Sequence, residues 1–179
     1  IQVLIVVAIL SMFAILSIAF RSYFLPILIL SALPFGFCGA VLGHIIFGKG
    51  LSMISYWGIG AACGVVVNDN LVLVDSINRL KGSGKHILEC IVESGVTRFR
   101  PIIITSITTF VGLMPMMLEP SVQANFLKPA VISLSFGVVL SSSVTLILVP
   151  CLYLIGDDVK KSLEQFKISV RSQISNKST

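Results

Sequence analysis

Charged residues are scarce in this sequence. They make up 12% of the 179 positions, with 13 basic and 8 acidic side chains, whereas ordinary soluble domains carry about 25%. Hydrophobic residues make up 55%. Most of the charges collect in two stretches, 79–100 and 157–177. So few charges cannot cover a soluble domain of this length, which excludes an ordinary soluble protein and leaves long apolar runs to explain.

Motifs typical of enzymes and metal sites are also missing. The chain has no HExxH zinc motif, no phosphate-binding glycine loop and no nucleophile with a neighbouring base. Its cysteines form no CxxC pair and lie in or beside apolar runs, so we interpret them as small apolar residues. No platform of aromatic and basic residues is present for nucleic acid. We therefore expect no enzyme, no metal, no bound cofactor and no nucleic-acid partner. The cysteines are Cys38, Cys63, Cys90 and Cys151.

Long apolar runs dominate what is present. A membrane-spanning helix needs about 20 mainly apolar residues, and the sequence predicts five such spans, at about 1–20, 26–47, 51–77, 101–118 and 126–155. The predicted fold is an all-α membrane protein, with the transmembrane bundle over 1–155. Because the chain starts inside an apolar run with Ile1 rather than Met, we expect it to be a piece of a longer polypeptide.

The distribution of Lys and Arg predicts the orientation. With five crossings, the side that holds the C-terminus receives 11 of the 13 basic residues, and the other side receives only Lys49 and Lys128. Cytoplasmic loops carry the excess of basic residues in membrane proteins. The sequence therefore predicts a multi-pass protein of the bacterial inner membrane with a cytoplasmic C-terminus. Anionic lipid headgroups account for the net charge of +5.

Two further segments lie on the predicted cytoplasmic side. Within the loop 78–100, apolar residues recur at helical spacing, which predicts an amphipathic helix over about 84–97 that lies on the membrane surface or packs under the bundle. Residues 156–179 are predicted to form a basic cytoplasmic tail.

An acid in the third span is the strongest candidate for function. Asp69 lies in an apolar stretch well away from both predicted ends, where a carboxylate costs about 2.5–3.5 kcal/mol. That cost is tolerated if the side chain faces the bundle interior, is paired, or is protonated part of the time. Apolar surroundings favour the neutral acid and a cationic neighbour favours the ionised one, so a site that alternates between them can carry a proton. A satisfied structural carboxylate is the alternative.

Other polar residues in the spans have simpler interpretations. Asp75 and Arg79 are four apart and are expected to form an interfacial ion pair. Thr105 and Thr109 share a face of the fourth span, although membrane hydroxyls often bond only to their own helix. His44 is expected at the outer interface. We expect Gly58, Gly60 and Gly64 to form one close-packing face.

Several stretches together resemble the C-terminal half of resistance–nodulation–division (RND) efflux transporters of the acriflavine-resistance type. These stretches are FRSYFLP, GVVVNDNLVLVDSINRLKGSG, GVTRFRPIIITSITTFVGLMP and VPCLY. The resemblance covers about 1–155 and makes the spans helices eight to twelve of a twelve-helix protein. It implies an inner-membrane exporter, driven by the proton-motive force, that removes drugs or other small molecules.

The resemblance also implies partners. They are the lipid bilayer, helices one to seven and the periplasmic domains of the same transporter, two further copies in a homotrimer, a periplasmic adaptor and an outer-membrane channel. In the family, a proton relay joins two aspartates of helix four to groups on helices ten and eleven. The matching positions here are Asn68 and Thr105, with Arg98 at the cytoplasmic mouth.

One departure from the family bears on the mechanism. Many drug-exporting members have a lysine where this chain has Asn68, so the partner of the family's aspartates is neutral here. Our hypothesis is that Asp69 shares the titrating role, with Asn68 and Thr105 as hydrogen-bonding partners. Two alternatives stay open. The chain could belong to an RND-superfamily component that moves lipid or secreted protein, or it could be a truncated remnant that is inactive alone.

Overall fold

The computed structural model describes residues 2–82, 84 and 86–176, and the surroundings of the side chains for residues 3 and 5–159 within those ranges. Six α-helices and no strand occur in this part of the chain. In chain order they are α1 Gln2–Phe20, α2 Phe24–Leu30, α3 Leu33–Ile46, α4 Met53–Gly82, α5 Ile87–Leu118 and α6 Val122–Asn176.

The apolar runs form helices long enough to cross a bilayer. Within the described residues, four segments have the length and composition of a span, and the apolar helix Ile5–Phe20 is shorter. Because a span needs about 20 residues, this pattern confirms an all-α membrane protein. The four segments are Phe24–Ile46, Met53–Gly82, Ile87–Leu118 and Val122–Val159.

The predicted second span is interrupted between α2 and α3. The helical pattern breaks at Ser31 and Ala32, because Pro34 has no N–H to donate to the carbonyl group four residues earlier. That carbonyl belongs to Leu30. Just before it, the Ser31 hydroxyl donates to the Leu28 carbonyl at 2.6 Å. The interruption leaves backbone carbonyls that side chains of other helices can reach.

No break in helical structure marks the predicted boundary between the amphipathic helix and the fourth span. Helix α5 runs without a break from Ile87 to Leu118 and contains Pro101. Proline removes one backbone hydrogen bond, which a long helix held by its neighbours tolerates. The amphipathic part packs under the bundle, since Cys90, Ile91 and Ser94 are buried.

Helical structure likewise continues past the predicted boundary between span and tail at residue 155. Helix α6 continues to Asn176, and residues 177–179 lie outside the described part of the chain.

Small residues bring α6 close to its neighbours at the centre of the bundle. A Cβ atom built on Gly58 of α4 would lie 2.1 Å from the Ala130 carbonyl oxygen, and one on Gly39 of α3 would lie 2.5 Å from the Phe136 carbonyl oxygen, both on α6. Only glycine allows these backbones to approach so closely. Helix α6 therefore forms the axis against which α3, α4 and α5 pack.

Two apolar clusters fill the space between the helices. The larger cluster joins α1, α2, α4, α5 and α6 towards the end that carries Arg79, and the smaller one joins α5 to α6 near the opposite end. The larger includes Leu16, Leu28, Ile29, Leu73, Val74, Ile77, Ile91, Val149 and Tyr153; the smaller includes Met117, Val131 and Ile132.

Candidate proton site in the third spanning helix

Asp69 is half-buried in the middle part of α4. Its Oδ2 atom is buried and has no hydrogen-bond partner among the described residues. In an apolar environment an ionised carboxylate with a bare oxygen is costly. The described residues therefore leave part of the hydrogen-bonding capacity of the Asp69 carboxyl group unused.

The residues on either side of Asp69 meet different surroundings, because successive positions on a helix point about 100° apart. Asn68 is exposed on the outside of the described bundle, whereas Asn70 is buried with 1% of its surface exposed. The Asn70 side-chain amide donates to the Ile29 carbonyl of α2 at 3.5 Å. Asn70 thus reaches a carbonyl beside the interruption between α2 and α3, and its role in this structure is to join those helices.

Thr105 is exposed on α5, and its hydroxyl donates to the Ile102 carbonyl of the same helix at 2.9 Å. The buried Ser106 does the same to Ile102 at 2.9 Å. Within the described residues, Asp69 Oδ2 is therefore not bonded to Asn68 or to Thr105. Both predicted partners face surfaces that these helices do not cover.

Arg98 is half-buried on α5, and its Nε atom is buried without a hydrogen-bond partner in the described part of the chain. It lies on the same helix as Thr105, about two turns nearer the predicted cytoplasmic end. This donor and the bare oxygen of Asp69 are both oriented inside the bundle and both lack a partner there.

The remaining polar candidates are less unusual. Asp75 and Arg79 form the expected ion pair, with Oδ2 and Nε 2.9 Å apart and the side chains 41% and 81% exposed. Exposed pairs of this kind contribute little to stability. Thr109 is half-buried on α5. No group of three or more metal-ligating side chains occurs among the described residues.

A narrow stripe of α4 is exposed around Asn68. Its members recur every three or four residues and include two glycines, at which an added Cβ atom would meet nothing within 4 Å in the described bundle. Close packing by Gly58, on the other side of the helix, shows that the three glycines do not share one face as expected. The exposed members of the stripe are Trp57, Gly60, Ala61, Gly64 and Asn68.

Comparison with known proteins decides the family. The model of the AcrB/AcrD/AcrF family matches residues 1–157. The chain belongs to the AcrB/AcrD/AcrF family. It is 32% identical to the multidrug resistance protein MdtC of Proteus mirabilis (strain HI4320) over 164 residues, which cover 91% of this chain and 16% of MdtC.

Solved structures of efflux pumps have the same fold. Two crystal forms of a heavy metal efflux pump superpose with TM-scores of 0.73 and 0.76 at 26% identity, over 87% and 86% of this chain and 15% and 16% of theirs. The chain thus spans a small part of the length of these AcrB-family relatives. The family is one of efflux transporters rather than of enzymes, and this chain carries part of its membrane domain.

Sequence reasoning missed one polar pair in this AcrB-family bundle. His44 of α3, expected at the interface, is buried with 3% exposed. Its Nδ1 lies 2.9 Å from the Ala40 carbonyl and its Nε2 lies 2.9 Å from the Ser55 hydroxyl of α4. Since a carbonyl only accepts, Nδ1 carries the proton and, in the neutral imidazole, Ser55 donates to Nε2. The sequence feature that could have predicted this contact is the short loop that joins His44 to the Ser52–Ser55 turn.

Proposed function

We propose that this chain works as part of a proton-driven efflux transporter, which exchanges inflowing protons for outgoing drugs or other small molecules across the bacterial inner membrane. The chain contributes the relay helices α4 and α5, with the C-terminus in the cytoplasm. The observation that carries the proposal is the half-buried Asp69, whose Oδ2 has no hydrogen-bond partner among the described residues. An acid kept in such a place at a cost in free energy indicates a functional group.

The proton site is completed from two directions in this proposal. From within the chain, a small rotation of α4 against α5 brings Asp69 towards Thr105 and Arg98. From outside, helices of the rest of the transporter cover the exposed stripe around Asn68 and bring the family's aspartates to it. Small residues in the stripe, Gly60 and Gly64, permit close approach of another helix.

The larger assembly is part of the same proposal. Family membership favours a homotrimer that docks to a periplasmic adaptor and an outer-membrane channel. The substrate is selected outside this chain, since the spanning helices described here carry the coupling rather than a large binding chamber.

The energetics of coupling are adequate. Moving one charge through 100 mV yields about 2.3 kcal/mol, which biases a two-state rearrangement whose states differ by a few kcal/mol. Because every 1.4 kcal/mol is a factor of ten, one proton per cycle multiplies the attainable substrate gradient about 50-fold at 100 mV.

The test is Asp69→Asn in the intact transporter, reconstituted in vesicles with an imposed pH gradient. We expect substrate-coupled proton uptake to be lost, because the amide side chain cannot exchange a proton. Export should then fall by up to about 50-fold, towards the level measured without a pH gradient. The matched control is Asp158→Asn, the same change at an exposed acid of α6, which should export normally. Normal coupled export by Asp69→Asn, with the protein inserted at wild-type level, contradicts the proposal.

A further inference from the structure

A second polar cluster lies far along α4 from Asp69, where the ends of α4 and α6 meet the turn between α1 and α2. A cavity of about 380 Å³ opens there and is lined by residues of all these segments. Lys81 of α4 and Asp157 of α6 line it, together with Ser22 of the turn. The count of basic residues places this end of the bundle at the cytoplasmic interface.

Two opposite charges are fixed side by side in this cavity. The Lys81 ammonium group forms an ion pair with Oδ1 of Asp157. The Asp157 side chain is 6% exposed, whereas that of Lys81 is 44% exposed. The cavity therefore presents a cation near its opening and a carboxylate further in.

Tyr153 packs beside the Lys81–Asp157 ion pair and restrains it. Its hydroxyl donates to Oδ1 of Asn78 at 2.6 Å, and the Lys81 Nζ atom lies 5.9 Å from the centre of its ring. An ammonium group over an aromatic face is held by electrostatic attraction. Because its oxygen accepts from Tyr153, the Asn78 side chain still offers its amide N–H groups as donors.

The other walls are apolar and closely built. Phe24, Leu25 and Val159 line the cavity. A Cβ atom on Gly156 would lie 2.0 Å from the Phe24 ring, so the glycine is what lets this ring approach α6 so closely. Val159 is 51% exposed, which gives the cavity an exposed apolar edge.

We propose that this cavity binds the phosphoethanolamine headgroup of a membrane phospholipid. The phosphate accepts hydrogen bonds from Lys81 and Ser22, while the ethanolamine ammonium group donates to Asp157. The glycerol and the start of the acyl chains lie against Phe24, Leu25 and Val159. The volume falls in the range of about 300–1,000 Å³ that is typical of small-molecule sites.

The charges select this headgroup over others. A purely anionic phosphoglycerol headgroup places its negative charge beside the Asp157 carboxylate and brings no ammonium group to offset it, so like charges repel inside the cavity. A choline headgroup carries the positive charge but has no N–H donors for the Asp157 oxygens. The apolar walls point to the lipid rather than to the free soluble headgroup.

The test measures lipid retention on the intact protein by native mass spectrometry after exchange into detergent with defined lipids. We expect phosphatidylethanolamine to bind about tenfold more tightly than phosphatidylglycerol or phosphatidylcholine, the factor expected for one charge-assisted hydrogen bond. Asp157→Asn should remove that preference, because the carboxylate is the group that distinguishes the three headgroups. Soluble glycerophosphoethanolamine should compete weakly. Equal retention of the three lipids, or equally tight binding of the soluble headgroup, overturns the proposal.

A second pair of variants leaves the ion pair intact, in case Asp157→Asn disturbs folding. Val159→Trp fills the edge of the cavity and should lower phosphatidylethanolamine retention about tenfold. Ile155→Trp is the matched control, since Ile155 is also exposed, at 58%, one turn away on α6, and it should bind as wild type. Unchanged retention by Val159→Trp contradicts the proposal. Asp69→Asn should bind the lipid normally, so this site and the proton site can fail separately.

Discussion

Three consecutive polar residues of α4 illustrate what a sequence can and cannot specify at the scale of the residue. Asn68, Asp69 and Asn70 are exposed, half-buried and buried in turn. The cost of placing them in a membrane was readable from the sequence, and it singled out Asp69. The sequence did not show which of them faces the other helices. That depends on the rotation of α4 about its axis, which is set by packing against α2 and α6.

The histidine of α3 gives the prediction that belongs to this scale. Ser55→Ala removes the donor to His44 Nε2 and leaves a buried nitrogen without a partner. We expect a loss of about 1 kcal/mol in stability, within the range for hydrogen bonds between membrane helices, measured by thermal unfolding in detergent. Ser143→Ala is the control, because the exposed Ser143 hydroxyl bonds only to the Val139 carbonyl of its own helix. Equal stability of the two variants would show that the His44–Ser55 contact is not formed.

At the scale of the helix, apolar length was a reliable guide and local breaks were not. Runs of about 20 apolar residues predicted the spans, but Pro101 does not end a helix and Pro34 does interrupt one. Each proline removes one backbone hydrogen bond, and the sequence alone does not specify which helix continues past its proline.

Glycine positions give the matching prediction for elements. Gly58→Ala places a methyl group against the Ala130 carbonyl, whereas Gly95→Ala on α5 places it in space that the described residues leave open. We expect Gly58→Ala to separate α4 from α6 and to lower the yield of folded protein by several fold, since overpacking costs about 1–3 kcal/mol. Size-exclusion chromatography of a fluorescent fusion measures that yield. An equal loss with Gly95→Ala, or no loss with Gly58→Ala, would contradict the close contact between α4 and α6.

At the scale of the whole molecule, the described bundle leaves large apolar and polar faces uncovered. Asn68 and Thr105 are both exposed, and the chain spans 16% of the length of MdtC. The family and the number of apolar runs followed from sequence. The geometry of the proposed relay did not, because within the described helices Asn68 and Thr105 are not bonded to Asp69 Oδ2.

Orientation is the prediction for the whole molecule. The distribution of 11 basic residues on one side against 2 on the other predicts a cytoplasmic C-terminus. A green fluorescent reporter fused after the last residue should therefore fluoresce, and alkaline phosphatase at the same point should be inactive. Alkaline phosphatase inserted beside Lys49, on the opposite side, should be active. The reverse pattern of reporter activity would show that the bundle has the opposite orientation, with the lipid site on the other side of the membrane.

The most direct measurement of the central claim is infrared difference spectroscopy of the working transporter, with Asp69→Asn as the reference. If Asp69 carries the proton, a carbonyl band of a protonated carboxyl group will appear and disappear as the external pH is switched, and this band will be missing from Asp69→Asn. A spectrum in which no pH-dependent carboxyl band depends on Asp69 would contradict the account.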